Sequence, residues 1–182
     1  MRAFILSLLT ALCLTTPVLS SSLLPRRQVC ANDGKTVAGT TFSARSLPSI
    51  PSLSIREDVP IPCIWCQIGG TTYIIITSFT QGPGPPATGE LQYMAVNSAI
   101  LHIATLIMQH GDDVIHGGAL EYSVEGVSLR GMNSNNHQMT LGVLQSALLA
   151  IRSWMEAYSV WGTAVFQVYD GDHQVGTGWM SL

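Results

Sequence analysis

The chain has 182 residues, of which 47% are hydrophobic and only 10% are charged, with a formal net charge of −3. This composition excludes an intrinsically disordered chain, because disorder requires low hydrophobicity and high net charge. It also excludes a basic nucleic-acid-binding protein, because the eight Lys and Arg residues are outnumbered by eleven Asp and Glu residues. For this length we expect a single folded domain.

The first twenty residues have the pattern of a secretory signal peptide. Arg2 precedes an apolar run over 3–14, and small residues lead up to Ser20, where we predict cleavage. The apolar run is too short to span a bilayer, which argues against a signal anchor. The sequence therefore predicts a signal peptide over 1–20 and a secreted, extracellular protein.

A dibasic pair follows the predicted signal peptide. Residues 21–27 end in Arg26 and Arg27, which predicts a propeptide removed at this processing site, although an ordinary exposed arginine pair fits the same residues. Cleavage there leaves Gln28 as the first residue, with five cations and eleven anions, a net charge of −6. An acidic protein with so few cations is not expected to bind nucleic acid or an anionic membrane.

Three cysteines remain after removal of the signal peptide, namely Cys30, Cys63 and Cys66. Cys63 and Cys66 form a C-x-x-C pair, but they precede a strand rather than open a helix, which disfavours a redox motif, and no second ligand pair supports zinc. A structural disulfide between Cys30 and either Cys63 or Cys66 is the favoured interpretation in an oxidising compartment. The chain holds no N-glycosylation sequon.

The N-terminal region over 28–70 is rich in Ser, Thr, Gly and Pro and is predicted to be extended, whereas 71–182 forms a single α+β domain. The β-branched run over 71–77 predicts the first strand. The Gly and Pro residues over 82–86 end it, and a helix is predicted over 88–110 with Gly111 after its last residue.

The helix predicted over 88–110 carries no formally charged residue after Leu91. This uncharged stretch has the length of a membrane span. Its many polar side chains favour a mostly buried core helix over a stable membrane span, because each polar group is costly in hydrocarbon. His102 lies in its polar stripe and is interpreted as a buried, hydrogen-bonded core histidine rather than a proton carrier.

The second half of the chain predicts a strand, a helix and a hairpin. Alternating residues over 120–130 change phase at Gly126, which predicts a β-bulge or a hairpin turn. An amphipathic helix is predicted over 138–158, with Arg152 and Glu156 as an ion pair on its wet side. Two alternating runs over 163–180 flank Asp-Gly and predict a β-hairpin. The element order β-α-β-α-β-β predicts a two-layer α+β sandwich, with a four-stranded, mainly antiparallel sheet and two helices on one face.

The segments over 135–144 (NNHQMTLGVL) and 168–178 (VYDGDHQVGTG) carry a resemblance to known sequences. They resemble the C-terminal region of small secreted proteins of filamentous fungi that are functionally uncharacterised and grouped as effector candidates. The resemblance covers roughly residues 130–182. It implies a fungal source and a secreted location, and it transfers no catalytic residue.

The ionisable residues near the helix ends are the candidates for chemistry. They are His110, Asp112, Asp113 and His116, then His137, and the group Asp170, Asp172 and His173. Histidine and carboxylate side chains are metal ligands and general acids or bases. A polar helix end, an N-cap and a hairpin turn explain the same residues through the backbone, so we predict no metal site and no cofactor. His110, Asp113, His116 and His137 are the weak catalytic candidates.

The leading functional hypothesis is a secreted, non-enzymatic interaction protein, effector-like, that binds an extracellular protein or glycan of a host or cell wall. The alternative is a small secreted enzyme or metal-binding protein that uses His and Asp residues at the helix ends. The two differ in whether these side chains converge in one cleft.

Overall fold

A computed structural model of the chain describes residues 30–32, 59–82, 86–134 and 136–181. The predicted signal peptide, its cleavage site at Ser20 and the dibasic site at Arg26 and Arg27 lie outside these residues. The described residues form six strands, two α-helices and one 3-10 turn. In chain order they are β1 (Cys63–Cys66), β2 (Thr72–Gln81), α1 (Pro86–His110), the 3-10 turn (His116–Gly118), β3 (Ala119–Val124), β4 (Val127–Asn133), α2 (Leu141–Tyr158), β5 (Gly162–Asp170) and β6 (His173–Ser181).

The strands form one sheet in the order β1-β2-β5-β6-β4-β3, and every neighbouring pair is antiparallel. The α+β class, the two helices and the antiparallel sheet are confirmed. The prediction of four strands is wrong, because the sheet of the described residues has six. One additional strand is β1, which lies in a segment whose sequence has no strand period.

The other additional strand comes from the region over 120–130, which is a β-hairpin rather than one bulged strand. β3 and β4 pair in register from Ala119 with Met132 to Val124 with Val127. Glu125 and Gly126 both have positive φ, 50° and 83°, which is the turn geometry that matches the twist of a two-residue hairpin. The phase change at Gly126 thus marks a turn, which is one of the two interpretations that the sequence allowed.

The helix ends are set by local hydrogen bonds. Gly111 follows α1 with φ 85°, and its N–H donates to the Ile107 carbonyl at 2.8 Å, as predicted for the residue after the helix. α2 begins at Leu141 rather than near 138, because Thr140 is its N-cap and accepts a hydrogen bond from the Val143 N–H at 3.3 Å.

Both helices pack into a single hydrophobic core against one face of the sheet. Its fully buried members include Trp154 and Ile151 from α2, Ile103 from α1, and Phe166 and Ile74 from the sheet. Along β5 the residues that face the helices alternate with half-buried residues on the other face. One face of the sheet is therefore covered by the two helices.

A polar contact holds the two helices together beside this core. Arg152 of α2 donates to the side-chain oxygen of Asn97 on α1, and its guanidinium lies 5.9 Å from the ring centre of Tyr93. Its Nε atom is 3.5 Å from Glu156 Oε1, which confirms the predicted ion pair. Arg152 thus joins α2 to α1 as well as to its own next turn.

α1 is less buried than its sequence predicts. The interpretation of His102 as a buried core histidine is wrong, because its side chain is exposed and lies against the Tyr122 ring at 5.3 Å between ring centres. Leu101 and Met108 are 67% and 79% exposed. Gly89–His110 is the one helix of the described chain whose length and apolar composition would suffice to cross a membrane, and a third of it is buried. A core helix or a signal sequence can have the same length and composition, so this is weak evidence for a span.

Candidate interaction surface

The four weak catalytic candidates do not converge. Asp113 and His116 approach to 3.9 Å between Oδ2 and Nε2, and both are exposed. His110 is exposed at the end of α1 and contacts none of the other three among the described residues. The described residues hold no group of three or more His, Cys, Asp or Glu side chains placed to bind a metal ion. Among the described residues, these four side chains therefore do not form one group that could act together in acid–base chemistry.

Asp112 and Asp113, which follow α1, hold the backbone at the start of α2. Asp112 Oδ1 accepts the Gly142 N–H at 2.6 Å, and the Asp113 carbonyl accepts the Leu141 N–H at 3.0 Å. A negative side chain beside the free N–H groups of a first helical turn is favourable, because it satisfies a donor and interacts with the helix dipole. Asp112, weighed as a metal ligand from its spacing, therefore has a structural role as a cap of α2.

His137 contacts a residue that its sequence position did not predict. Its ring stacks on that of His173 with 5.0 Å between ring centres and 27° between ring planes, and both side chains are exposed. Asp170, from the predicted group near His173, instead accepts the Thr71 hydroxyl at 2.6 Å. The two imidazoles thus form an exposed pair beside the β5–β6 turn.

The disulfide joins Cys30 to Cys66, one of the two predicted pairings. It lies with Tyr73 and Tyr169, whose rings stack at 4.8 Å, on the sheet face opposite the helices. Burial is the main cause that raises the pKa of Tyr73 to about 12, with smaller contributions from Tyr169 and the Asp172 carboxylate. The short segment 30–32 therefore covers one end of this face.

Cys63 lies on the helix side of the sheet and has no disulfide partner among the described residues. Burial raises the pKa of its thiol, and the nearby Trp154 indole only partly opposes this effect. Burial, and then the neighbouring Cys63, also raise the pKa of Tyr158. A thiol of raised pKa inside the core is a poor nucleophile, so Cys63 serves packing rather than chemistry.

Among the described residues, no helix covers the face of the sheet away from α1 and α2, and we call it the open sheet face. Its side chains alternate with the buried ones along each strand. They are Glu121 and Ser123 of β3, Ser128, Arg130 and Met132 of β4, Val165, Gln167 and Tyr169 of β5, and Thr177, Trp179 and Ser181 of β6.

Trp179 and Arg130 lie side by side near the centre of the open sheet face. Trp179 is 40% exposed, and its cross-strand neighbours are Val165 on β5 and Arg130 on β4. Arg130 is exposed, and its side chain forms no hydrogen bond or ion pair among the described residues, although Glu121 is its cross-strand neighbour on β3. The row thus presents an aromatic ring, an unpaired guanidinium and a carboxylate to solvent.

A second row runs parallel to the first. Thr177 lies between Gln167 and Met132, and Gln167 accepts a hydrogen bond from the Tyr169 hydroxyl at 3.3 Å. Amide and hydroxyl groups in this row can donate and accept hydrogen bonds from a ligand laid across the strands. Together the two rows form a broad polar surface around one aromatic ring.

Sequence analysis did not select Trp179 or Arg130 as functional residues. From the sequence, Arg130 is only one of the five cations that follow Gln28, and Trp179 is one position in the predicted hairpin. The sequence does contain a pattern that could have identified Trp179. Polar and aromatic residues recur at every second position of 163–180, and in a strand such residues lie on the face turned away from the core. Comparison with known proteins finds no matching family model, no matching curated protein and no matching solved structure.

Proposed function

We propose that this chain is a secreted, non-enzymatic interaction protein, effector-like and of fungal origin, that binds a cell-wall glycan on its open sheet face. The single observation that carries the proposal is the exposed pair of Trp179 and Arg130 near the centre of that face, where the Arg130 guanidinium has no partner among the described residues. Secretion is supported by the signal-peptide pattern and by the Cys30–Cys66 disulfide, which suits an oxidising compartment. The fungal source rests on the resemblance over 130–182.

The chemistry of the pair favours a sugar ligand. An exposed indole offers a flat apolar surface with a polar edge, which suits the apolar face of a pyranose ring. Arg130 supplies hydrogen-bond donors, while Glu121 supplies acceptors, and sugar hydroxyls need both. The indole provides the apolar contact, and the neighbouring polar side chains orient the ligand. Many ligand sites divide these two roles in the same way.

The shape of the face favours an extended ligand. Neighbouring strands lie about 4.8 Å apart, so the row from Val165 through Trp179 and Arg130 to Glu121 spans about 14 Å. A surface of this length accommodates a short stretch of a polysaccharide rather than a single small molecule. The surface is also open, which suits binding of a polymer without cleavage.

Binding of the chain from Gln28 to cell-wall polysaccharides tests the proposal. Insoluble cellulose, chitin and β-1,3-glucan are used in sedimentation assays, and soluble oligosaccharides in titrations that follow tryptophan fluorescence. Trp179 is the most exposed of the four tryptophans, so a ligand on it changes the emission. We expect Trp179→Ala to weaken binding about tenfold, because an aromatic contact contributes about 1.5 kcal/mol.

Met108→Ala is the matched control, since it removes an exposed apolar side chain from α1 on the other layer of the molecule. It is expected to bind glycan like the unmodified chain. Retention of no polysaccharide, or equal affinity of the Trp179→Ala variant, contradicts the proposal. Binding to a host protein with the same dependence on Trp179 would show that the ligand is not a glycan, while the open sheet face would remain the binding surface.

The alternative, a small enzyme or metal-binding protein, is favoured by no observation on the described residues. Its test is hydrolysis of a panel of glycans, esters and peptides by the same preparation. Turnover that is lost when His110, Asp113, His116 and His137 are substituted together would replace the present proposal.

A further inference from the structure

The outward side of α1 carries an apolar stripe, which we call the outer stripe: Met94, Leu101 and Met108. These side chains are 48%, 67% and 79% exposed and are separated by seven residues each. Residues seven apart lie two turns apart on the same side of a helix. Exposed apolar residues scattered singly need no explanation, but three aligned on one helix form a continuous patch.

Three polar side chains beside the outer stripe already have hydrogen-bond partners within the chain. The Thr105 hydroxyl donates to the Leu101 carbonyl at 2.9 Å, so its methyl group remains for contact. Ser98 shares a hydrogen bond of 2.6 Å with the Tyr122 hydroxyl, and Asn97 accepts from Arg152. Removing water from this side of α1 would therefore leave the Thr105 and Ser98 hydroxyls and the Asn97 side-chain oxygen with hydrogen-bond partners.

The outer stripe is also free of formal charge. No Asp, Glu, Lys or Arg occurs between Leu91 and Gly111, although the whole chain carries a net charge of −3. Two copies of an acidic chain repel each other over most of their surfaces, and this repulsion is weakest where an uncharged side meets an uncharged side. The outer stripe is thus suited to contact with a second copy of the same chain.

We propose that two copies of this chain associate through the outer stripe, with α1 of each packed along α1 of the other. The seven-residue spacing is the pattern by which paired helices keep one seam in contact, and Ala104, between Leu101 and Met108 at the alternate seam position, allows close approach. This inference goes beyond glycan binding, because it concerns the opposite layer of the molecule.

The available area supports a dimer of modest stability. Gly89–His110 has 22 residues and is about 33 Å long. A specific interface buries about 600 Å² or more on each copy, so a stable dimer requires contact along most of this length. Each anchor is used twice about a twofold axis, so the three residues place six side chains in the interface.

Lipid is a less suitable occupant of the outer stripe. Helices that lie on membranes carry Lys or Arg on their polar side, and α1 has none after Leu91. Lipid contact also places no demand on a seven-residue spacing, whereas a second helix does. These two features favour a protein helix of the same uncharged kind.

Sedimentation equilibrium of the chain from Gln28, from about 1 μM to about 500 μM, tests the dimer. We expect a monomer–dimer equilibrium within this range. Leu101→Gln should raise the dimer dissociation constant about thirtyfold or more, because both copies lose a half-buried leucine contact. Trp179→Gln, which changes an exposed side chain on the open sheet face, is the control and should leave the constant unchanged.

A cross-linking variant gives a second measurement that does not depend on the stability of a polar substitution. Leu101 lies midway along the outer stripe, so a twofold axis brings it close to its own copy in either helix orientation. Leu101→Cys should form a disulfide-linked dimer under oxidation, and Ser123→Cys on β3 should not. A monomer at every concentration, an unchanged constant for Leu101→Gln, or sedimentation of the monomer with phosphatidylcholine vesicles would overturn the proposal.

Discussion

Gly178 on β6 offers a sharp test of the core packing, because the Phe166 ring occupies the place of its missing side chain. Gly178 and Phe166 are cross-strand partners on the helix side of the sheet, and both are buried. A methyl group at 178 would lie 2.9 Å from Phe166 Cδ2 and closer still to Cε2 and Cζ. The aromatic ring that lies above Gly178 is the physical reason for a glycine at this position.

Gly178→Ala is expected to destabilise the protein by about 1–2 kcal/mol. Overpacking of a well-packed core costs about 1–3 kcal/mol, since the ring must leave its position or the strands must separate. The reduced chain entropy of alanine in the unfolded state opposes this by about 0.4–1 kcal/mol. For a domain of this size the balance lowers the melting temperature by about 5 °C.

Urea denaturation followed by tryptophan fluorescence measures this difference in the free energy of unfolding. Gly70→Ala is the matched control, because the nearest atom to its new methyl group is Thr72 N at 3.9 Å. It is expected to be neutral or slightly stabilising. The smaller side chain of Phe166→Leu should make room for the new methyl group. Adding Gly178→Ala to Phe166→Leu should therefore cost less free energy of unfolding than adding Gly178→Ala to the unmodified protein. Equal stability of Gly178→Ala and the unmodified protein would refute the packing argument.

Three further predictions concern the disulfide, an alkaline titration and a helix cap. Replacing Cys30 and Cys66 together by serine should lower the free energy of unfolding by about 4 kcal/mol, because the bond closes a 36-residue separation; equal urea midpoints would contradict this. Tyr73 has a folded-state pKa of about 12, compared with 10 in the unfolded chain. Its contribution to the free energy of unfolding is therefore complete below pH 10 and is lost as the pH rises to 12. Tyr73→Phe should therefore flatten the fall of the urea midpoint over that range. Asp112→Ala should cost about 1 kcal/mol by thermal denaturation through loss of the α2 cap, whereas Asp172→Ala at an exposed turn should cost little; equal losses would contradict the cap.

The local elements were predictable where the side-chain period was strong. The α2 pattern and the β5–β6 hairpin follow from apolar spacings of 3.6 and 2 residues, and both occur close to their predicted bounds. β1 was not predictable in this way, because the four residues after Pro62 are too few to show a usable period. It becomes a strand through pairing with β2, from Cys63 opposite Ile76 to Cys66 opposite Tyr73.

The exposure of α1 could not be obtained from its composition. A helix without charge was expected to be buried, yet the sheet and α2 can cover only one side of it. His102 and Leu101 therefore face solvent, whereas the neighbouring Ile103 is completely buried. Position around the helix decides burial, and that position depends on where the other layer lies.

For the candidate site as well, the sequence predicts which residues are present, and tertiary contacts decide which of them meet. Histidines and carboxylates near the helix ends could be named from the sequence, but their distances depend on the loops that join distant elements. Asp112 caps α2 through Gly142, thirty residues away along the chain, and His137 meets His173 rather than His116. Trp179 and Arg130 become neighbours only through the pairing of β4 with β6.

By itself the sequence determined the α+β class, both helices, most of the strands and the choice of cysteines that can pair, because these depend on local period and residue type. The tertiary structure decided the six-stranded order, the Cys30–Cys66 pairing, and which sides of α1 and of the sheet remain exposed. These features require contacts between residues far apart in the chain, and the free energy of such contacts depends on the whole packed arrangement.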